Sequence, residues 1–140
     1  MNLKRYIDAV VRREVRRAFF FDSTIDDVGH VLAESLVKFK QLHEIAPLES
    51  KGKIRKIINF ISEMRKTARV GGNLMRQQIR EQRTKREPQY PTLLRQEIED
   101  DINEDWKSVE RIFYSLPAET RQNPLAEKAH RQIIKMFAFF

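Results

Sequence analysis

Hydrophobic residues recur every three or four positions along nearly the whole chain, which is the spacing that places them on one side of an α-helix. No sustained alternation of apolar and polar residues indicates a strand. The sequence therefore predicts an all-α protein, a helical bundle of five to six amphipathic helices in a single domain over residues 1–140. The clearest repeat consists of Leu94, Ile98, Ile102, Trp106, Val109, Phe113 and Leu116.

Residues that favour helix ends divide this pattern into six segments. Ser23 or Thr24 is predicted to cap the second helix, and Ser50 the third, because their hydroxyl groups can accept a hydrogen bond from the first turn. Asn123 followed by Pro124 predicts the N-cap and first position of the last helix.

The glycine pair Gly71-Gly72 is predicted to end the third helix, because glycine readily adopts the left-handed conformation found after many helices. A fourth segment, residues 73–86, follows it. This segment has few apolar residues, so it is a candidate for folding only on binding. Together with the fifth helix it would form an extended basic helical hairpin over about residues 73–116.

The composition restricts the chemistry and the compartment. The chain has no cysteine, which excludes disulfides and thiolate sites and fits a reducing compartment. No apolar run approaches the roughly 20 residues that a membrane-spanning helix needs. The N-terminal residues lack the apolar core of a secretory signal. We therefore expect a soluble cytoplasmic protein that does not enter a membrane.

Positive charge is concentrated in one block. The formal net charge is +7, and residues 51–86 contain twelve Lys or Arg against two acidic residues. Such a block predicts a surface for a polyanion, most simply nucleic-acid backbone, since phosphate contacts release counterions and need little geometric precision. Only Phe60 is aromatic there, so we expect weak sequence specificity. The candidate binding residues are Lys51, Lys53, Arg55, Lys56, Arg65, Lys66, Arg69, Arg76, Arg80, Arg83, Lys85 and Arg86.

Two alternatives compete with this interpretation. Residues 87–119 carry nine acidic residues against three basic ones. An antiparallel hairpin could therefore pair Arg76, Arg80 and Arg83 internally with the carboxylates of residues 97–105. Alternatively, the protein is a structural or adaptor protein of a larger assembly, such as a phage particle or organellar complex, and its basic surface faces acidic protein.

Two aromatic clusters are candidates for a partner interface. Aromatic residues are enriched at interfaces, and consecutive ones point in several directions round a helix, so one core cannot easily bury all of them. They could also plug the two ends of the bundle. The alternative is contact with a protein partner or with a second copy in a homo-oligomer. The residues are Phe19, Phe20, Phe21, Phe137, Phe139 and Phe140.

No motif predicts catalysis. A phosphate-binding loop of the GxxxxGK[ST] type is absent, and three scattered histidines form no evident acid–base pair. Glu97, Asp101, Glu104 and Asp105 share part of one helical side, where a solvated acidic face is more common than a metal site. We therefore expect a non-catalytic accessory or assembly protein without cofactor, metal or small-molecule substrate. The small helical subunits of CRISPR effector complexes are similar in size and charge.

Overall fold

Five helices make up the described part of the chain. The computed structural model describes the backbone of residues 3–138 and the side chains of residues 3–7 and 25–138. Within these residues there is no strand, and the all-α prediction is confirmed. The helices are α1 (Leu3–Ile45), α2 (Leu48–Gln82), α3 (Thr92–Tyr114), α4 (Ala118–Arg121) and α5 (Pro124–Phe137).

The four longer helices form a bundle in which neighbours along the chain run antiparallel. Helix α2 packs between α1 and α3, and α1 also packs against α5. Rings of α3 and α5 meet where Trp106 lies 5.5 Å from His130, which completes the ring of four helices. Short connections between antiparallel helices are the expected way to build such a bundle. The single turn α4 links α3 to α5.

The core is a continuous row of apolar side chains from all four long helices. Helix α2 supplies its centre because its apolar residues repeat every three or four positions and face both neighbours. Five of them, Ile54, Ile57, Ile61, Met64 and Met75, are completely shielded from solvent. Burying each such side chain stabilises the fold by about 1.5–3 kcal/mol. Helix α2 is therefore anchored on its inner side, and its outer side is left to solvent.

The glycine pair does not end a helix, so this prediction was wrong. Helix α2 continues through Gly71 and Gly72, both of which are buried. A Cβ atom on Gly71 would lie 2.7 Å from Ile98 Cδ1, and one on Gly72 would lie 3.2 Å from Ile25 Cγ2. The pair therefore lets α3 and α1 approach the backbone of α2 from its two sides. Close packing, and not a left-handed turn, explains both glycines.

Two of the predicted caps were also wrong. Helix α1 runs without interruption through Ser23 and Thr24, since no Gly or Pro breaks the stretch and hydroxyl residues are tolerated inside a helix. Helix α2 begins at Leu48, directly after Pro47, and Ser50 is a buried residue of its first turn.

The start of α5 is as predicted. The Asn123 side chain accepts a hydrogen bond from the Leu125 N–H at 3.0 Å, and Pro124 occupies the first helical position. This arrangement satisfies one of the free N–H groups at the helix start.

The hairpin predicted over residues 73–116 is present as the end of α2 and the whole of α3. Residues 73–82 belong to α2, and Met75 and Ile79 there are buried. A connection over residues 83–91 then leads into α3.

In the part of the chain that the structure describes, no helix has the length and apolar character needed to cross a membrane.

Candidate nucleic-acid interface

Eight of the twelve candidate basic residues lie on one side of α2. At 3.6 residues per turn, their positions fall within an arc of about 100°. They extend from the first turn of α2 to the residue after its end, a distance of about 48 Å at 1.5 Å per residue. We call this set the basic stripe: Lys51, Arg55, Arg65, Lys66, Arg69, Arg76, Arg80 and Arg83.

The acidic residues of α2 lie on a different side of the helix. Glu49, Glu63 and Glu81 are separated by 14 and 18 residues, which is about four and five turns, so they share one side. Glu63 faces α3, where burial, reinforced by the Glu63 charge, raises the pKa of Asp105. The carboxylates of α2 are thus segregated from the basic stripe, which contains no acidic residue.

The basic stripe is almost free of internal ion pairs. Arg76 Nη2 lies 2.9 Å from Asp26 Oδ1 on α1. Among the described residues, no carboxylate lies within ion-pair distance of the other seven cations. In particular, neither Arg80 nor Arg83 pairs with residues 97–105, so the internal pairing considered as an alternative is not formed by these two arginines. Seven positive charges therefore remain available along this side of α2.

The other four candidates lie apart from the basic stripe. Lys53 and Lys56 are on the α3 side of α2, and Lys53 Nζ donates a hydrogen bond to the Ser115 carbonyl oxygen at 3.0 Å. Lys85 and Arg86 are exposed in the connection that follows α2. The structure therefore does not bring these four together with the basic stripe.

Only one of the six aromatic interface candidates has a described side chain. The ring of Phe137 is partly buried, and its centroid lies 5.7 Å from that of Trp106. The side chains of Phe19, Phe20 and Phe21, and both Phe139 and Phe140, lie outside the described residues. Contact with Trp106 places Phe137 at the edge of the core.

A cleft between α3, α4 and α5 was not predicted from the sequence. Its volume is about 620 Å³, and it has a floor of rings and a rim of cations. The floor contains Phe113 and His130, and Tyr114 stands beside them. The cationic rim consists of Arg121, Arg131 and Lys135. The sequence signal is limited to the helical spacing of the α5 residues, such as Arg131 and Lys135, because Phe113, Tyr114 and Arg121 come from α3 and α4.

His130 holds the floor of this cleft together. Its ring stacks on Phe113 at 4.4 Å between centroids and 6° between planes. Its Nε2 atom lies 3.7 Å from Glu110 Oε2. Burial lowers the pKa of His130, and the nearby Glu110 carboxylate opposes this effect only in part. The imidazole therefore packs as an aromatic ring between α3 and α5.

No metal site is formed within the described residues. No group of three or more His, Asp or Glu side chains converges there, including the acidic residues of α3 around Asp105. The raised pKa of Asp105 has its causes in burial and in the like charges of Glu63, Asp101 and Glu104.

Comparison with protein-family models, with curated proteins and with solved structures finds no match to this chain. The basic stripe and the α3–α4–α5 cleft are the features of the chain that bear on its function.

Proposed function

We propose that this protein is a non-catalytic accessory or assembly protein that binds nucleic-acid backbone along the basic stripe of α2. One observation carries the proposal. Eight cations share one side of a single unbroken helix, and only Arg76 is paired with a carboxylate among the described residues. A solvated face that merely keeps a protein soluble usually mixes both signs of charge.

The residue types in the basic stripe suit phosphate. Six of the eight are arginine, whose planar guanidinium can donate two parallel hydrogen bonds to phosphate oxygens. Most of these side chains are exposed, so binding replaces condensed counterions and does not require a buried charge. The stripe therefore supports many weak contacts that add along a strand.

The same surface predicts little discrimination between bases. The residues interleaved with the stripe include Ser62 and Asn73, which are short and polar. The aromatic Phe60 is half-buried and packs against the core. Without an exposed ring, α2 offers no stacking platform, and affinity should depend on strand length and salt more than on sequence.

The first experiment is a salt titration of binding to a labelled single strand and to a labelled duplex of mixed sequence. Fluorescence anisotropy at 50–200 mM salt gives the slope of log K against log salt. We expect a steep slope, since each phosphate contact contributes about −0.7 for a single strand and −0.9 for a duplex. Absence of binding even at 50 mM salt would overturn the proposal and favour the adaptor alternative, in which the stripe faces acidic protein.

A charge-reversal variant then tests whether the stripe is the binding surface. We suggest changing Lys66, Arg69 and Arg80 together to Glu, because none of the three has a carboxylate partner among the described residues. Arg76 is left unchanged because its replacement by Glu would repel Asp26 and weaken the fold. Binding at 100 mM salt should fall on the order of 100-fold. The thermal midpoint should stay near that of the unchanged protein.

The matched control reverses three exposed cations away from the stripe. Changing Lys56, Lys107 and Arg111 to Glu alters the net charge by the same amount. This control should retain most of its affinity. Equal losses in the two variants would show that binding follows net charge alone and would contradict a localised interface.

A further inference from the structure

The cationic rim of the α3–α4–α5 cleft lacks internal partners. Arg121, Arg131 and Lys135 line the cleft, and none of them has a carboxylate within ion-pair distance among the described residues. Glu127 is the one acidic residue of the lining. Three cations against one carboxylate leave the cleft positively charged where it opens to solvent.

One of these cations has a donor that is already shielded from water. The Nε atom of Arg121 is buried and has no hydrogen-bond acceptor in the described part of the chain. A buried donor without an acceptor is costly, and no group in the described part of the chain competes with a ligand for the Arg121 guanidinium. This observation is independent of the charge count and points to an anionic ligand.

The cleft also offers a flat apolar surface beside the cations. Tyr114 is 55% exposed, and its ring meets those of Phe113 and His130 edge-on at 5.6 Å, which holds it in place. Ile134, which is 46% exposed, lies on the α5 side of the same cleft. A planar group can therefore pack against Tyr114 while an attached anion reaches the arginines.

We infer that this cleft binds a nucleotide, with its phosphate among Arg121, Arg131 and Lys135 and its base against Tyr114. The volume of about 620 Å³ falls in the range of small-molecule sites. Arginine suits the phosphate because its guanidinium matches the phosphate oxygens in two parallel hydrogen bonds. Stacking on a tyrosine suits a base of any identity.

The nucleotide can come from two sources. One is a free mononucleotide, and the other is the phosphorylated end of a strand that lies on the basic stripe, a case that rests on the proposed function. The geometry allows the second source, because Lys53 of α2 bonds to Ser115, the residue after Tyr114. The cleft and the Lys51 end of the stripe therefore lie at the same end of the bundle.

The test begins with free ligands, using the fluorescence of Trp106, the single tryptophan, whose ring lies 5.5 Å from that of His130. Isothermal titration calorimetry supplies an independent affinity. We expect saturable binding of AMP. Adenosine, which lacks the phosphate, and ribose 5-phosphate, which lacks the base, should each bind at least about tenfold more weakly.

Substitutions then locate the site. Arg131→Ala should weaken AMP binding about tenfold, and Tyr114→Ala at least about fivefold. Arg111→Ala is the matched control, because Arg111 is an exposed cation of α3 outside the cleft, and it should leave the affinity unchanged. The thermal midpoint of each variant checks that the bundle is intact. AMP affinity that is equal for Arg131→Ala and Arg111→Ala, or no saturable binding, would overturn the inference.

Oligonucleotides with and without a terminal phosphate distinguish the two sources. If the cleft takes a strand end, a terminal phosphate should strengthen binding to the unchanged protein and not to Arg131→Ala. If the ligand is a free mononucleotide, AMP binds and the terminal phosphate has no effect. The stripe variant with Lys66, Arg69 and Arg80 changed to Glu should bind AMP normally. AMP binding without oligonucleotide binding would overturn the proposed function alone. Oligonucleotide binding without AMP binding would overturn the cleft inference alone.

Discussion

The basic stripe and the α3–α4–α5 cleft both present unpaired cations, but they are built in opposite ways. The stripe belongs to one helix, extends about 48 Å and is open to solvent along its length. The cleft combines three elements around stacked rings and has a volume of about 620 Å³. Charge spread along a helix should therefore give an affinity that grows with the length of the ligand. Charge beside a ring-lined cavity instead selects a ligand by its shape.

The largest expected effect is that of salt, which should weaken strand binding to the basic stripe far more than AMP binding to the cleft. If about six stripe cations contact phosphates, the affinity for a single strand should fall about 300-fold between 50 and 200 mM salt. The affinity for AMP should fall only a few-fold, since one phosphate is involved and stacking is insensitive to salt. Anisotropy and calorimetry over the same salt series provide the measurement. Equal slopes of log affinity against log salt for the single strand and for AMP would contradict the distinction between the two surfaces.

The next largest effect is expected at Gly71, where α3 packs closely on the backbone of α2. Gly71→Ala should destabilise the protein by about 1–2 kcal/mol in urea unfolding. The added Cβ would lie 2.7 Å from Ile98, and such overpacking costs about 1–3 kcal/mol. The higher helix propensity of alanine returns up to about 1 kcal/mol of this. Nucleic-acid affinity should change little, because Ile98 and the basic stripe lie on different sides of α2.

Gly52→Ala is the control for that substitution. Gly52 lies in the same helix, and nothing is within 4 Å of its added Cβ. The change should raise the free energy of unfolding by about 0.5–1 kcal/mol through helix propensity alone. Destabilisation by both substitutions would show that close packing is not the reason for Gly71.

Mild acid should lower the stability of the fold through His130, in the floor of the cleft. The pKa of His130 in the folded protein is below the ordinary value of 6.5, because the ring is buried. As the pH falls below about 6.5, the unfolded chain therefore takes up the proton before the folded protein does. Stability is lost from that pH down to the lower pKa of His130 in the folded protein. Urea unfolding at pH 7.5 and 5.5 should show this loss.

His130→Phe should reduce the pH dependence, since phenylalanine keeps the stacking on Phe113 and cannot be protonated. His30→Asn, at an exposed position, should leave the loss in mild acid in place. A pH dependence that is unchanged in His130→Phe would contradict the assignment to His130.

The smallest effect is expected at Asp105 of α3, which lies near Glu63 on the acidic side of α2. The pKa of Asp105 is raised from 3.8, so its ionised form opposes folding at neutral pH. Asp105→Asn should raise stability at pH 7 by less than about 0.5 kcal/mol, because Asp105 is only partly buried and solvent screens its charge. This gain should vanish below about pH 3.8, where the carboxyl is protonated in both states. Thermal unfolding at pH 7 and 3 measures it.

The sequence predicts the block of cations over residues 51–86, but the helix end expected at Gly71-Gly72 divides that block, so the continuous basic stripe was not predicted. Lys51 to Arg83 share a side through helical spacing alone. The meaning of Gly71-Gly72 could not be found in this way. Glycine is common both after helices and where helices approach closely, and only the position of Ile98 distinguishes the two.

The cleft could not be predicted for a related reason. Tyr114, Arg121 and Arg131 belong to three different helices, and their approach depends on how α4 turns the chain between α3 and α5. Each residue alone resembles an ordinary surface position. The start of α5 at Asn123 was predictable, because its N-cap bond involves neighbours in the sequence.

The continuity of α2 has a consequence for the shape of its ligand. A helix of this length curves only gently, so the cations of the basic stripe form a nearly straight line. That line is longer than one turn of a duplex, about 34 Å, over which each backbone winds fully round its axis. A stiff duplex would meet the line only where its strands cross it. A flexible single strand can follow this line from end to end. The basic stripe should therefore fit an extended single strand of about its own length.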